Sequence, residues 1–484
     1  MHASWRGRVP HSDRRRLADA RTVAVVAAAL ALSLVAAACG GGTAAGRRAA
    51  PAANPCAASA GTTIPQPTAA QMRAAGLDKL PVASDGKRVD LVAPPFSNST
   101  SVTNPYWPIS QLHSVVLNGK VGGQVFRTET TLLPDTRIVE WSPGQCLRTL
   151  VSQYVAYLDG RIEEVALDLY AQADDGGGWY LGEDVFNYAD GIIADTSGTW
   201  LAGKEGPAAM IMPGLPKVGD VNRPENIPGL VFEEVEVTSL AKPMPGPRGP
   251  VKALVARELH DDGTFSDKLF APGYGEFLTV HGDEIEALAL AVPTDTLQGP
   301  VPVGLTTLLT GAYAVFEAAG ARRWEPAAAT VARMSAAWSA HQKTGGLPPR
   351  LVPPAGGALG RLDRAVKARN PAEARGAALD VALATLDLQL QYRRPAEIDL
   401  ARSGRWLRQI LVDAPARDLA AVSGDAATLE WIRDRVARSL DPVVLTRIDT
   451  LLEQLRTNVG DEDPAAAAKT AAALLTVVEG ARVG

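Results

Sequence analysis

Between Asn104 and Val292 apolar and polar residues alternate in short runs separated by turn residues, the period of half-buried strands. Val151 to Tyr157 and Ile162 to Tyr170 are two such runs, and Asp159-Gly160 between them is a two-residue hairpin signal. Asp190-Gly191 and Asp262-Gly263 repeat that signal. Val231, Glu233, Val235 and Val237 occupy one parity of a further run, and Val251–Leu259, Phe265–Phe270 and Ile285–Val292 continue the series. From Val303 the period becomes helical: Val331, Met334, Trp338 and His341 recur at three and four, as do Leu429, Ile432, Val436 and Leu440. Asn370-Pro371, Asp441-Pro442 and Asp463-Pro464 each place a capping side chain before a proline at the first helical position, and Ser423-Gly424-Asp425 offers another start.

These patterns predict an α+β multidomain chain. An antiparallel β sandwich or open barrel is followed by an antiparallel bundle of six to eight helices. The expected boundaries are a signal peptide at 1–38 and a flexible Gly/Ala/Pro tether at 39–70, with a short helix near Met72–Leu80 beyond it. An antiparallel β domain follows at 71–292, then a linker at 293–302 and a helical bundle at 303–484. Strand runs joined by tight turns leave no helical crossovers, which argues against a dinucleotide-binding sheet.

The N-terminus changes the picture from a soluble chain to an exported one. Six arginines precede an apolar run from Val23 to Ala38, and the small residues Ala36, Ala37 and Ala38 meet Cys39. The run is short for a membrane span, which needs about 20 apolar residues. With a cysteine at its edge it resembles a bacterial lipoprotein signal. That resemblance implies acylation of Cys39, palmitate included, and a location on the extracytoplasmic face of the cell membrane. Arg14-Arg15-Arg16-Leu17 partly resembles a twin-arginine export motif. The segment before Cys39 holds six arginines and two aspartates, so the rest of a chain of net charge −5 carries −9. An acidic chain is poorly suited to nucleic-acid phosphates. Export also places Cys56 and Cys146 in an oxidising compartment, where they are candidates for a disulfide.

Asn104-Pro105-Tyr106-Trp107-Pro108, Asp168-Leu169-Tyr170-Ala171-Gln172, Gly178 to Asp184, Gly198-Thr199-Trp200, Ile211-Met212-Pro213, Lys217-Val218-Gly219-Asp220 and Tyr274-Gly275 follow in order along the β region. Residues 104–290 thereby resemble a family of uncharacterised secreted bacterial β-rich domains. The resemblance implies an antiparallel fold and no particular reaction.

Candidate chemistry is sparse. Asp174, Asp175, Glu183 and Asp184 surround a glycine run and could offer oxygens to calcium, although the same residues suit two turns flanking a strand at Trp179–Leu181. His260 and His281 sit beside acidic turns and flank neighbouring strands. Solvated turns are the simpler reading, and a cross-strand site with a carboxylate is the sharper one. Glu233/Glu234, being adjacent in a strand, face opposite ways and form no acid–base pair. His341 lies on an apolar helical stripe, as a core residue or a helix-end cation. In the helical half Asp380, Asp387, Arg402 and Arg405 could form a polar pocket or an ordinary interhelical ion pair. The spacing shows no nucleophile elbow, phosphate loop or thiol pair, and no cofactor is expected. The chain therefore reads as a non-catalytic envelope lipoprotein that binds a small apolar ligand or an envelope protein. An envelope hydrolase with carboxylates from separate loops and a calcium-binding surface protein are the alternatives.

Overall fold

A computed structural model describes residues 61–484 apart from 283. The expected signal peptide, Cys39 and Cys56 lie outside those residues. The chain enters the fold earlier than a tether ending at 70 would allow. Strand β1 (Thr62–Thr63) pairs with β2 (Val92–Ala93), and Ile64 is buried. Helix α1 (Ala69–Ala74) starts at a capping box in which Thr68 and Gln71 satisfy each other's backbone N–H groups.

The predicted β region forms one antiparallel sheet of 14 strands. Its first meander comprises β3 (Ser114–Val121), β4 (Gln124–Ser142), β5 (Gln145–Leu158), β6 (Arg161–Gln172) and β7 (Gly178–Ala189). The short strands β8 (Ile192–Asp195), β9 (Trp200–Leu201) and β10 (Ala209–Met212) all pair with β7. The second meander comprises β11 (Val221–Ile227), β12 (Val231–Gly246), β13 (Gly249–His260), β14 (Phe265–Ala271), β15 (Gly275–His281) and β16 (Glu284–Val292). Pairing of β16 with β3 joins the two meanders, leaving β10 and β11 at the ends. The ladder does not close, yet the Asn222 side chain on β11 donates to the Met210 carbonyl on β10 at 2.8 Å.

Two of the three hairpin signals act as expected: Asp159 and Gly160 sit at φ +47° and +77°, and Asp190 and Gly191 at +53° and +77°, the left-handed pair that a two-residue hairpin demands, whereas at Asp262-Gly263 only the glycine is left-handed and the loop runs from Asp261 to Thr264. One expected turn is absent. Gly182-Glu183-Asp184 stays inside β7, with Gly182 at φ +123° because β9 approaches so closely that a Cβ there would meet the Trp200 carbonyl oxygen at 2.3 Å.

Alternation sends side chains to two different cores. Val115 and Leu117 point inward, to a core shared by both meanders in which Trp107 packs edge-on against Tyr170 and Phe270, at 5.3 and 5.9 Å between ring centroids. Val116, between them, points outward to the helices. The helices are α2 (Val303–Gly320), α3 (Trp324–Gln342), α4 (Val352–Lys367), α5 (Pro371–Gln389), α6 (Pro395–Ala416), α7 (Leu419–Val436), α8 (Pro442–Gly460) and α9 (Pro464–Gly480). The Asn-Pro and Asp-Pro starts are all in use, with Asn370, Asp441 and Asp463 capping α5, α8 and α9. Ser423-Gly424-Asp425 is no start: Asp418 caps α7 earlier, and these three residues lie within the helix. Helix α2 is long and apolar enough to cross a membrane, but Leu305, Leu308, Ala312, Val315 and Phe316 bury its stripe in the core it shares with β3 and β16.

The helices pack directly on the outer sheet face. Val116, Leu290 and Val292 share a core with α2 to α6, and Val155, Tyr157, Ile162, Val165 and Tyr188 share another with α6 to α9. Tyr157 stacks on Trp406 of α6, with centroids 5.4 Å apart and planes 19° apart. The expected linker is also part of the fold. Asp295 is fully buried, accepting from the Tyr274 hydroxyl at 2.8 Å and the Ala291 N–H at 2.9 Å, and Leu297 N–H donates to the Gln391 carbonyl.

Candidate metal centre

At one end of the second meander the inward parity turns from apolar to ionisable. On β12 the sequence runs Val231, Glu233, Val235, so Glu233 faces into the sheet interior while Glu234 faces away, toward Arg223 and the Ala83 N–H. Opposite Glu233 in the β12–β13 ladder stands His260, and opposite Glu233 on the other side, in β11, stands Glu225. Glu258 shares the face of His260 two residues earlier, and Ser266 on β14 is opposite Glu258. Lys268 follows two residues on. Register alone thus brings these six side chains together.

The distances are short. The His260 Nε2 lies 2.9 Å from Ser266 Oγ and 3.6 Å from a Glu258 oxygen, and its Nδ1 lies 3.7 Å from a Glu233 oxygen. Ser266 Oγ donates to Glu258 at 3.1 Å. Lys268 Nζ is 2.8 Å from Glu258 and 3.9 Å from Glu233. One ligand atom from each of Glu233, Glu258 and His260 can be chosen so that all lie within 4.8 Å of one another. Around a tetrahedral ion with bonds of 2.0–2.1 Å, neighbouring ligand atoms stand about 3.3 Å apart. The 3.6 and 3.7 Å approaches are made by opposite nitrogens of the His260 ring, so with one donor atom per residue the three span up to 4.8 Å and must draw in by about 1.5 Å to close on an ion.

The electrostatics are those of a cluster short of positive charge. Burial and the neighbouring Glu233 carboxylate push Glu258 up to about 8. Burial, with Glu233 and Glu183 beyond it, pushes Glu225 well above the carboxylate range. Glu225 is fully buried, with the Glu183 carboxyl beside it. Burial works against Glu233 too, but Lys268 and His260 hold it below its ordinary value. His260 is desolvated, yet the two glutamates outweigh that and keep it above the usual imidazole value. Protons thus occupy carboxyls for which Lys268 and His260 provide too little compensation. Asp168 and Glu183, paired across β6–β7, and Glu276 add further buried acids to this interior.

A second buried charge cluster has a different character. Glu129 on β4 contacts Arg127 at 2.6 Å, Arg435 of α7 at 2.5 Å and Arg402 of α6 at 3.4 Å. Asp387 of α5 pairs with Arg127 and Arg402, both at 2.7 Å, and Asp399 of α6 pairs with Arg402 at 3.0 Å. Three arginines meet three carboxylates, so this cluster is balanced and binds the sheet to three helices.

The sequence candidates fall as follows. Of Asp380, Asp387, Arg402 and Arg405, only Asp387 and Arg402 meet, inside the balanced cluster. Asp380 pairs with Arg361 in solvent at 2.9 Å, and Arg405 turns away to lie 4.1 Å over the Trp406 ring. Asp174, Asp175, Glu183 and Asp184 do not converge. Asp174 accepts from Ser97, Asp175 from the Gly177 N–H, and Asp184 pairs with Arg137, whereas Glu183 faces the interior. Strand alternation across Glu183 and Asp184 forbids the calcium loop. Cys146 is disulfide-bonded. His341 is buried, with its pKa lowered by desolvation, a core histidine and no cation. His260 is not the solvated turn residue that its acidic neighbours suggest: its ring lies 4.8 Å from that of His281, edge to face, and points at two glutamates. A groove of about 420 Å³ between α7 and α8 is lined by charges already paired with each other, Arg433 with Asp449 and Arg456 with Glu430.

The chain matches no protein-family model and no curated protein.

Proposed function

We propose that the chain is a lipid-anchored, extracytoplasmic, non-catalytic protein whose β half binds a divalent metal cation. The convergence of Glu233, Glu258 and His260 within 4.8 Å carries this reading. The acid-rich interior behind them supplies the attraction, and the cost of burying several carboxyls together is what a cation offsets. The ligand expected from the sequence, a small apolar molecule, fits less well, because Trp107, Tyr170, Tyr180, Trp200 and Phe270 fill the apolar part of the interior ring against ring.

One observation favours a second reading. Ser266 Oγ, His260 Nε2 and Glu233 stand in the order of a nucleophile, base and orienting acid. Against it, Ser266 is 4% exposed and its oxygen also engages Glu258, a carboxyl that would face any oxyanion formed there.

Two experiments test the proposal. With 100 Kd of free divalent ion, binding stabilises the fold by about 2.7 kcal/mol. The melting temperature of the full-length chain should therefore rise with added metal, and that rise should vanish in Glu233→Gln/Glu258→Gln. Covalent labelling of Ser266 by a fluorophosphonate probe would instead favour the hydrolase. For the anchor, Cys39→Ala should leave the precursor unprocessed and unlabelled by fatty acid; normal labelling refutes it.

A further inference from the structure

Which cation the centre takes follows from its donors, granted the cation-binding reading above. Calcium requires six to eight oxygens, commonly with backbone carbonyls and waters among them, and magnesium keeps most of its own water. This centre offers two carboxylates and an imidazole on the facing strands β12 and β13, and little room for water. Glu258 is fully buried, Glu233 is 4% exposed and the His260 side chain is 15% exposed. An imidazole nitrogen beside two carboxylates, at a low coordination number, suits zinc and its first-row neighbours.

The second element is Lys268. Its ammonium stands 2.8 Å from one Glu258 oxygen and 3.9 Å from Glu233, between the two carboxylates that a metal would bridge. Glu225, opposite Glu233 in the ladder, adds a third carboxyl, itself fully buried, to the same place. Lys268 pairs closely with Glu258 and reaches Glu233 by charge alone, so one ammonium serves both carboxylates. A divalent ion bound to the same oxygens would sit within a few ångströms of that ammonium, so the two cations compete for one place. Lysine has a flexible stem and can swing aside, which a buried arginine fork would not do as easily.

We infer that the centre takes a transition-metal dication of the zinc class in preference to calcium or magnesium, and that the Lys268 ammonium is the internal cation this ion displaces. Lys268 is then a specificity-setting residue. It raises the threshold for occupancy, and only an ion that gains bonding to imidazole nitrogen as well as charge attraction overcomes it.

The test is calorimetric titration of the full-length chain in detergent with Zn²⁺, Co²⁺, Ca²⁺ and Mg²⁺ separately, on wild type and on Lys268→Met. The visible absorption of Co²⁺ reports its ligand field. One equivalent of Zn²⁺ and of Co²⁺ should bind to wild type, with a low-coordinate Co²⁺ spectrum that His260→Gln abolishes. Removing a like charge at this range should tighten binding by about tenfold or more in Lys268→Met. Binding of Ca²⁺ or Mg²⁺ in place of Zn²⁺ would overturn the ion class while leaving the cation-binding reading intact. Equal Zn²⁺ affinity in wild type and Lys268→Met would overturn the role of Lys268. No binding of any ion to either protein would overturn the cation-binding reading itself. The wild-type comparison of four ions needs no variant, so it stands even if a substitution prevents folding.

Discussion

Glu129→Gln is the perturbation that best probes how the sheet holds its helices. The side chain keeps its shape and loses its charge at a point where Arg127, Arg402 and Arg435 all converge. Three arginines then face only Asp387 and Asp399, and one positive charge is left buried without compensation. The amide oxygen still accepts from one guanidinium, while its NH2 group points at another. Breaking a buried ion pair from one side costs about 3–5 kcal/mol, and that is the loss expected here. Arg435→Met combined with it restores a balance of two against two. It also strands the Gln153 oxygen that Arg435 Nε contacts at 2.5 Å. The double variant should still be about 2 kcal/mol more stable than the sum of the single losses. The pH dependence has a definite sign. The three arginines hold Glu129 below the ordinary carboxylate range against the pull of burial. A depressed carboxyl contributes its stability above the unfolded value of about 4.3 and loses it as pH falls below that. The gap between wild type and variant should therefore be flat from neutral pH upward and shrink in acid. Urea midpoints read by far-UV dichroism and by tryptophan fluorescence should shift together, because the cluster spans β4, α5, α6 and α7. A loss under about 1 kcal/mol, or strict additivity in the double variant, would refute a stabilising role for the network.

Two other perturbations test the same packing. Asp425 of α7 is buried, and desolvation raises it well above the aspartate range despite Arg405 nearby. A raised acid gives its full stability at low pH and loses it as pH rises, so Asp425→Asn should gain on wild type as pH climbs from 5 to 8 in thermal melts; a constant difference would contradict this. Trp406→Ala removes the ring stacked on Tyr157 at the joint between β5 and α6 and should cost about 3–5 kcal/mol, measured by urea unfolding, with a cost below about 1 kcal/mol counting against a shared core.

The hairpins, the change of period near Val303 and the proline-marked helix starts were legible because each depends on a few consecutive residues. Apart from the start at Ser423, which the Asp418 cap pre-empts locally, what failed depended on partners distant in sequence. Gly182-Glu183-Asp184 has the composition of a turn, and only the approach of β9 at Trp200 makes it a bulged strand. Asp380, Asp387, Arg402 and Arg405 shared a helical neighbourhood on paper. Helix rotation sends Asp380 to solvent and Arg405 to Trp406, and the partners that complete the Asp387–Arg402 pair, Arg127 and Glu129, come from a strand more than 250 residues away.

The centre at His260 shows where the signal did exist. Glu233 shares the parity of Val231, Val235 and Val237, so placing those valines in a core places Glu233 there too. An acid on an apolar parity cannot remain alone in a low-dielectric interior; it must meet a cation, share a proton or take up a ligand. The same test applied to β13 places Glu258 and His260 with the inward Leu254 and Ala256, and applied to β14 it places Lys268 with Phe270. Two acids, one imidazole and one lysine on the core parity of three successive strands already define a polar site, and only its geometry needed the fold. Counting charge on the buried parity, without waiting for ligand-spaced motifs, would have moved His260 from a turn to the centre of the site. The same count separates the two buried clusters, since three arginines against three carboxylates at Glu129 balance one another across sheet and helices, whereas the carboxyls at Glu233 outnumber their cations, which is the charge deficit that the proposed metal would fill.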